Sequence, residues 1–314
     1  MDNTSVATDT GLFDRRHILL MAGITLGYLL LSRMLIGFRS SQVVLVLLVN
    51  ICYFASAATR RLIIGYSVFI IYWVIFDYMK AFPNYWFNTV HTGSLYELER
   101  SLFGIHFQGA LRTPNEYFEY YHNTPLDITS GLFYLSWIPV PLLFASYLFY
   151  RNRRQFFYFS LTFLLVNLIG FVGYYLYPAA PPWYIMQYGT EFHAHTPGNT
   201  AGLARFDAFF GLGIFRSLYG QSSNVFAAMP SLHSSYPVIV LYYGLKNRLG
   251  RANIFFAVVM AGIWFSAVYT GHHYILDVLA GIACAVAGIW LFNRISQTKA
   301  CRRVINKYIK LTER

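Results

Sequence analysis

Residues 229–235, MPSLHSS, and residues 269–277, YTGHHYILD, each set a short polar island beside a long apolar run. Together they put three histidines and an aspartate where hydrocarbon ordinarily excludes ionisable groups. Burying such groups is costly, so they are functional candidates. His273 and Asp277 lie four residues apart, a spacing that predicts one face of a helix. Asp277 would accept a hydrogen bond from one ring nitrogen of His273, fix the tautomer and leave the other nitrogen free to attack phosphorus. His233 follows Pro230 and Ser231, which predicts a helix N-terminus, where free N–H groups and the positive dipole end suit an anion. A phosphate held there would lie near His233, which could then protonate a departing alkoxide. Ser231 and Ser234 add donors. The bland alternatives are a self-satisfied buried His–Asp pair and a capping serine beside an incidental histidine.

His272 is expected to point away from His273 and to contact structure or substrate. Adjacent helical positions diverge by about 100°, and neither H-E-x-x-H nor paired-cysteine spacing appears, so the cluster is not read as a metal site. No cofactor is called for. Cys52, Cys284 and Cys301 have no spacing suited to metal or redox work, and no disulfide framework is suggested.

These residues need a scaffold, and composition says which kind. The chain has 314 residues, 56% hydrophobic and only 12% charged. Soluble domains average about 25% charged residues, so the several long apolar runs predict an all-α, polytopic membrane protein. Tyrosine and phenylalanine number 26 and 28, many near the ends of apolar runs, as interfacial belts require. The net charge of +11 would suggest nucleic acid in a soluble protein. Here the basic residues fall in short loops and the tail, so topology accounts for them and no nucleic-acid partner is expected.

Eight spanning segments are predicted, about 17–36, 42–58, 62–80, 127–150, 155–177, 231–246, 252–270 and 273–293. The second and sixth are short. With the N-terminus in the cytoplasm, 17 of the 24 basic residues face inward, as the positive-inside rule prefers. PSLH, GHH and PAAPPWY then meet at the outer membrane face. The expected divisions are 1–61, a cytoplasmic segment and transmembrane hairpin; 62–295, a six-helix core with outer segments 81–126 and 178–230; and 296–314, a basic cytoplasmic tail. Segment 81–126 is expected to form short interfacial helices, and 178–230 a loop over the site.

The paired motifs resemble the type-2 phosphatidic acid phosphatase superfamily, in which P-S-x-H is followed by S-R-x5-H-x3-D. The match runs through Pro230, Ser231 and His233, then Ser266, His273 and Asp277. Ala267 stands where the phosphatases carry arginine, and no clear K-x6-R-P motif is present. Both missing elements bind the extra charge of a phosphomonoester. AMPSLHS, YTGHHYILD and PAAPPWY resemble the branch of fungal-type inositol phosphorylceramide synthases, over roughly residues 65–295. That resemblance implies a phosphatase-like core and a transferase. His273 would attack a phospholipid donor such as phosphatidylinositol, His233 would protonate the diacylglycerol oxygen, and Asp277 would hold the phosphohistidine. A lipid acceptor such as ceramide would then attack with His233 as base.

Arg216, His272, Asp77, Lys80, Arg112 and Asp127 are expected candidates for the phosphate or headgroup. Tyr177, Pro181, Pro182, Trp183 and Tyr184 are expected to shape lipid access or cover the site. Two readings compete with the transferase: a lipid phosphate or pyrophosphate phosphatase, and a proton-coupled transporter using intramembrane histidines. Small size and minimal loops point to a bacterial inner membrane, with the site on the periplasmic face; a lumenal face is the alternative.

Overall fold

Long apolar runs without internal breakers become helices, and the computed structural model, which describes residues 11–220 and 224–313, is built almost entirely of them. Residues 1–10 of the expected cytoplasmic segment, 221–223 of the outer loop and 314 of the tail lie outside the described residues. In chain order the elements are α1 (Arg15–Ile36), α2 (Ser40–Ala55), α3 (Ala57–Tyr78), α4 (Gly93–Phe103), strands β1 (Ile105–Phe107) and β2 (Ala110–Arg112), α5 (Pro114–Tyr120), α6 (Thr124–Leu135), α7 (Pro139–Arg151), α8 (Arg153–Leu176), α9 (Pro182–Tyr188), α10 (Ala204–Phe210), α11 (Ile214–Tyr219), α12 (Leu232–Lys246), α13 (Ala252–Tyr269), α14 (Ile275–Ile295) and α15 (Lys299–Glu313).

Among the described residues, six segments are long and apolar enough to cross a membrane: Arg15–Ile36, Ala57–Ala81, Thr124–Arg151, Arg153–Leu176, Ala252–Tyr269 and Ile275–Ile295. The protein is an integral, multi-pass membrane protein. The two spans expected to be short, α2 and α12, have 16 and 15 residues. At 1.5 Å per residue α12 reaches about 22 Å, less than the roughly 30 Å hydrocarbon core. It packs against α8, α13 and α14, which enclose most of its surface.

The chain divides into two compact units. One runs through Ala81 and takes up the stretch from Arg303 onward. In it α2 lies along α3, and the Tyr78 hydroxyl is 2.9 Å from that of Ser32 on α1. Most apolar side chains of α1 are exposed, with only Met21 and Ser32 buried, as expected of a helix facing lipid. The other unit, Phe82–Arg302, carries both polar motifs. Thus α3, expected in the core, clusters with the N-terminal hairpin through its contact with α2.

Three local outcomes differ from the expectation. The span predicted over 127–150 is broken at residues 136–138 into α6 and α7, because Pro139 and Pro141 cannot continue the hydrogen-bonding of the preceding turn. Segment 81–126 contains α4 and α5 as expected, but between them β1 and β2 form an antiparallel hairpin pairing Phe107 with Ala110. Gln108 and Gly109, with φ of 48° and 76°, make the two-residue turn, a geometry that suits the strand twist. The 178–230 segment folds rather than merely covering. Phe206 and Phe215 are buried with Tyr134 of α6 and Ala267 and Val268 of α13. Its backbone is also tied to the 270–273 turn, through Trp183 N–H to Gly271 O at 3.0 Å and Gly202 N–H to Thr270 O at 2.9 Å.

Candidate active site

Helix α13 ends at Tyr269 and α14 starts at Ile275, so His272 and His273 stand in the turn between them. His273 and Asp277 therefore do not share a helix face as their spacing predicts: only Asp277 is helical, and the turn brings the histidine to it. Gly271 takes φ of +73°, a conformation that a side chain would strain. The N–H groups of both His272 and His273 then reach back to the Ala267 carbonyl, at 3.1 and 3.0 Å. Asn115, buried at the start of α5, donates from Nδ2 to the carbonyls of Val268 and His273, at 2.8 and 2.9 Å. The backbone of His273 is thus held from two sides.

His273 Nδ1 lies 3.5 Å from Asp277 Oδ2. Asp277 is fully buried, and the same oxygen accepts the Tyr274 N–H at 2.9 Å. An ionised carboxylate in such a place is tolerable only with partners of this kind. The opposite nitrogen, His273 Nε2, is 3.3 Å from His233 Nδ1. His233 sits in the first turn of α12, whose N-cap is Ser231, so the helix starts one residue later than the span predicted from 231. The ring of His233 is half-buried, packed edge-on against Trp137 at 4.7 Å between centroids, and its Nδ1 is 3.2 Å from the Tyr134 hydroxyl. Tyr219 donates its hydroxyl hydrogen to Tyr134 at 3.3 Å, and burial pushes the Tyr219 phenol well above its ordinary range. Both are neutral hydroxyls.

Helices α12 and α14 meet closely enough to bring the histidines together. The Ser231 N–H donates to the Asp277 carbonyl at 3.0 Å, and Ser235 Oγ to the Gly281 carbonyl at 2.6 Å. A Cβ on Gly281 would lie 2.1 Å from the Ser231 carbonyl oxygen.

The other expected residues divide. His272 is buried beside the pair, its Nδ1 3.0 Å from Thr270 Oγ1 and its ring 4.6 Å from that of Tyr219. Ser231 and Ser234 are fully buried and bonded to each other at 3.1 Å, so they knit α12 rather than line an opening. Asp127 is bound to Arg205 Nε at 2.8 Å and to the Tyr269 hydroxyl at 2.9 Å, which occupies the carboxylate. Asp77 and Lys80 belong to the first unit and pair with each other at 2.6 Å. The Arg112 guanidinium lies over the Tyr120 ring at 5.1 Å. Arg216 is exposed, and its backbone N–H is bound by Asp207. Tyr177 stacks on His91 at 3.8 Å, while Pro181, Pro182, Trp183 and Tyr184 are buried. Of these five, Trp183 is the one tied to the 270–273 turn, through its N–H to the Gly271 carbonyl.

Four residues that sequence reasoning missed are prominent: Tyr134, Trp137, Asn115 and Glu99. Glu99, on α4, is fully buried, and its two oxygens accept the N–H groups of Ile275 and Leu276 at 2.9 and 3.1 Å. Its isolation in an amphipathic, charge-bearing stretch carried no signal of that contact. Among the described residues, no group of three or more His, Cys, Asp or Glu side chains is arranged to hold a metal ion.

A family model described as the PAP2 superfamily matches residues 93–291. The phosphoinositol dihydroceramide synthase of Bacteroides thetaiotaomicron is 48% identical over 267 residues, which covers 84% of this chain and 87% of that protein. The inositol phosphorylceramide synthase catalytic subunit of Schizosaccharomyces pombe is 28% identical over 248 residues, covering 75% of this chain and 56% of that one. The inositol phosphorylceramide synthase of Candida albicans is 27% identical over 211 residues, covering 63% and 41%. The chain thus spans only about half the length of these fungal relatives. No solved structure matches the chain.

Proposed function

We propose, from the premise that this chain belongs to the PAP2 superfamily, that it moves phosphoinositol from phosphatidylinositol to a ceramide-type lipid alcohol through a phosphohistidine. The chain is a membrane phosphotransferase for substituted phosphate groups, and this membership favours an enzyme over a proton-coupled transporter. The names of its relatives supply the phosphoinositol group and the ceramide acceptor of the proposal, and phosphatidylinositol is the donor that the proposal adds. The observation that carries the mechanism is the 3.3 Å approach of His233 Nδ1 to His273 Nε2, with Asp277 behind the other nitrogen of His273.

In the first step His273 Nε2 attacks phosphorus and the bond from phosphorus to the diacylglycerol oxygen breaks. His233 gives that oxygen a proton, so a neutral alcohol leaves. The imidazole of His273 becomes cationic as the N–P bond forms, and Asp277 across Nδ1 stabilises that charge. In the second step neutral His233 takes the hydroxyl proton of the acceptor, whose oxygen attacks phosphorus as the N–P bond breaks. The enzyme returns to its starting state. A phosphodiester carries one negative charge, so neutral donors such as Tyr134 and the first turn of α12 suffice.

Ala267 favours the transferase over the phosphatase reading. It is fully buried in an apolar cluster with Tyr134, Leu203, Phe206 and Phe215, surroundings that offer a guanidinium no charged partner. We place the site at the outer, periplasmic face of a bacterial inner membrane, on the basis of the charge distribution among loops. The test uses purified protein in bicelles with headgroup-labelled phosphatidylinositol and ceramide. The expected products are inositol phosphorylceramide and diacylglycerol, lost in His273→Ala. Release of inositol phosphate or free phosphate alone, without transfer to lipid, would reject the reading.

A further inference from the structure

Helix α14 begins without the usual means of satisfying its first N–H groups. Its N-cap is Tyr274, whereas a serine, threonine, asparagine or aspartate normally takes that place and caps with a side-chain oxygen. The groups left over are served from another part of the chain. Glu99 Oε1 accepts the Ile275 N–H and Oε2 the Leu276 N–H, and no part of Glu99 reaches solvent. The next residue, Asp277, faces His273 and closes the same turn by accepting the Tyr274 N–H.

We propose that Glu99 is a positioning residue for the His273–Asp277 pair: delivered from α4, its carboxylate substitutes for the missing cap and holds the first turn of α14 in register with the nucleophile. The proposal rests on the phosphohistidine reading. Its charge complements the positive end of α14 and adds to that of Asp277 when His273 becomes cationic. The titratable groups that act on it are Asp277 and Tyr274 from the α14 side, and Tyr274 in turn faces Tyr96 on α4 and Glu116 on α5, so the neighbourhood is acidic or phenolic. Arg100, one residue on, pairs instead with Glu97. Burial pushes the Glu99 carboxyl up to about 6, against the pull of the two N–H groups and with a further push from Asp277. The carboxylate that caps α14 is therefore lost as pH falls through about 6. A raised carboxyl also means that its contribution to stability is present at low pH and lost as pH rises through that value.

Glu99→Gln keeps the size and one acceptor oxygen but removes the charge. Glu99→Asp keeps the charge and loses reach. In the lipid transfer assay Glu99→Gln is expected to lower kcat about 10–100-fold, the loss seen when a metal-ligating histidine loses its outer partner and carried over here to the His273 turn, with KM within about twofold. Its kcat profile should lose the component near pH 6, and Glu99→Asp should recover part of the rate. Enzyme is counted by the burst of diacylglycerol release, so that lost folding is not scored as lost kcat. A second readout needs no substrate: the rate at which diethyl pyrocarbonate modifies His273, mapped by mass spectrometry, should change at least about threefold in Glu99→Gln. Parental kcat and pH profile in Glu99→Gln, or an unchanged rate of His273 modification, would overturn the proposal. Should the parent protein itself fail to transfer phosphoinositol, the functional reading falls, and the modification rate alone still decides the role of Glu99.

Discussion

Gly281→Ala tests whether catalysis depends on the closeness of α12 and α14. The added Cβ would sit 2.1 Å from the Ser231 carbonyl oxygen, 3.0 Å from its carbonyl carbon and 3.3 Å from Ser234 Cβ. Two of the three contacts are backbone, so no side-chain rotation relieves them. Ordinary contact begins near 3.4 Å, so the helices must part by about 1.3 Å. The bonds from Ser231 N–H to Asp277 O and from Ser235 Oγ to Gly281 O would stretch with them. His233 rides on α12, while His273 stays with the turn that Asn115 holds. Their 3.3 Å separation would therefore grow past 4 Å. Overpacking of this kind costs about 1–3 kcal/mol of stability, and a displacement near 1 Å at a reacting pair costs about 100-fold in rate. The control is Gly288→Ala, two turns along α14, where the obstruction at 2.4 Å is the Val166 side chain. Thermal unfolding in detergent and kcat for lipid transfer would be measured on both. Similar losses of stability are expected, with kcat reduced about 100-fold in Gly281→Ala and within about threefold in Gly288→Ala. Equal kcat in the two variants would refute the dependence on this contact.

Asp277→Asn removes the charge behind His273 while keeping its shape, and kcat is expected to fall about 10³-fold or more with KM little changed; a loss below about tenfold would remove Asp277 from the mechanism. Tyr134→Phe deletes the hydroxyl beside His233 Nδ1, and a loss of about 3–10-fold in kcat is expected for one neutral hydrogen bond, read as initial rate at saturating lipid. Ala267→Arg restores the residue that the phosphatases carry, yet it forces a charge into the Tyr134–Phe206–Phe215 cluster. The expected result is a loss of folded protein of about 3 kcal/mol or more, seen as a lowered unfolding temperature, with no gain in phosphatidic acid hydrolysis.

The long, uninterrupted apolar runs announced a helical membrane protein, because length and hydropathy alone decide whether a segment can span hydrocarbon. The prolines at 139 and 141 were equally visible, but hydropathy averages over them and the break between α6 and α7 was missed. That break puts Trp137 against His233. The candidate acids and polar residues scattered through the outer segments were least legible. Asp77 found Lys80 within one turn, a pair its spacing allowed, but Asp127 found Arg205 far along the chain, and nothing local to an isolated charge says whether its partner is protein or substrate.

His233, His273 and Asp277 could be singled out from residue type and spacing, since ionisable side chains beside apolar runs are rare and carry their cost openly. Their geometry could not. His273 meets Asp277 through a glycine turn rather than along a helix face, and α14 takes its cap from Glu99, 176 positions before Ile275. Contacts of that kind depend on where distant helices pack. Sequence spacing constrains only neighbours within a turn or two, so tertiary structure alone decided that Glu99 meets the first turn of α14 and that Asp127 closes an ion pair with Arg205.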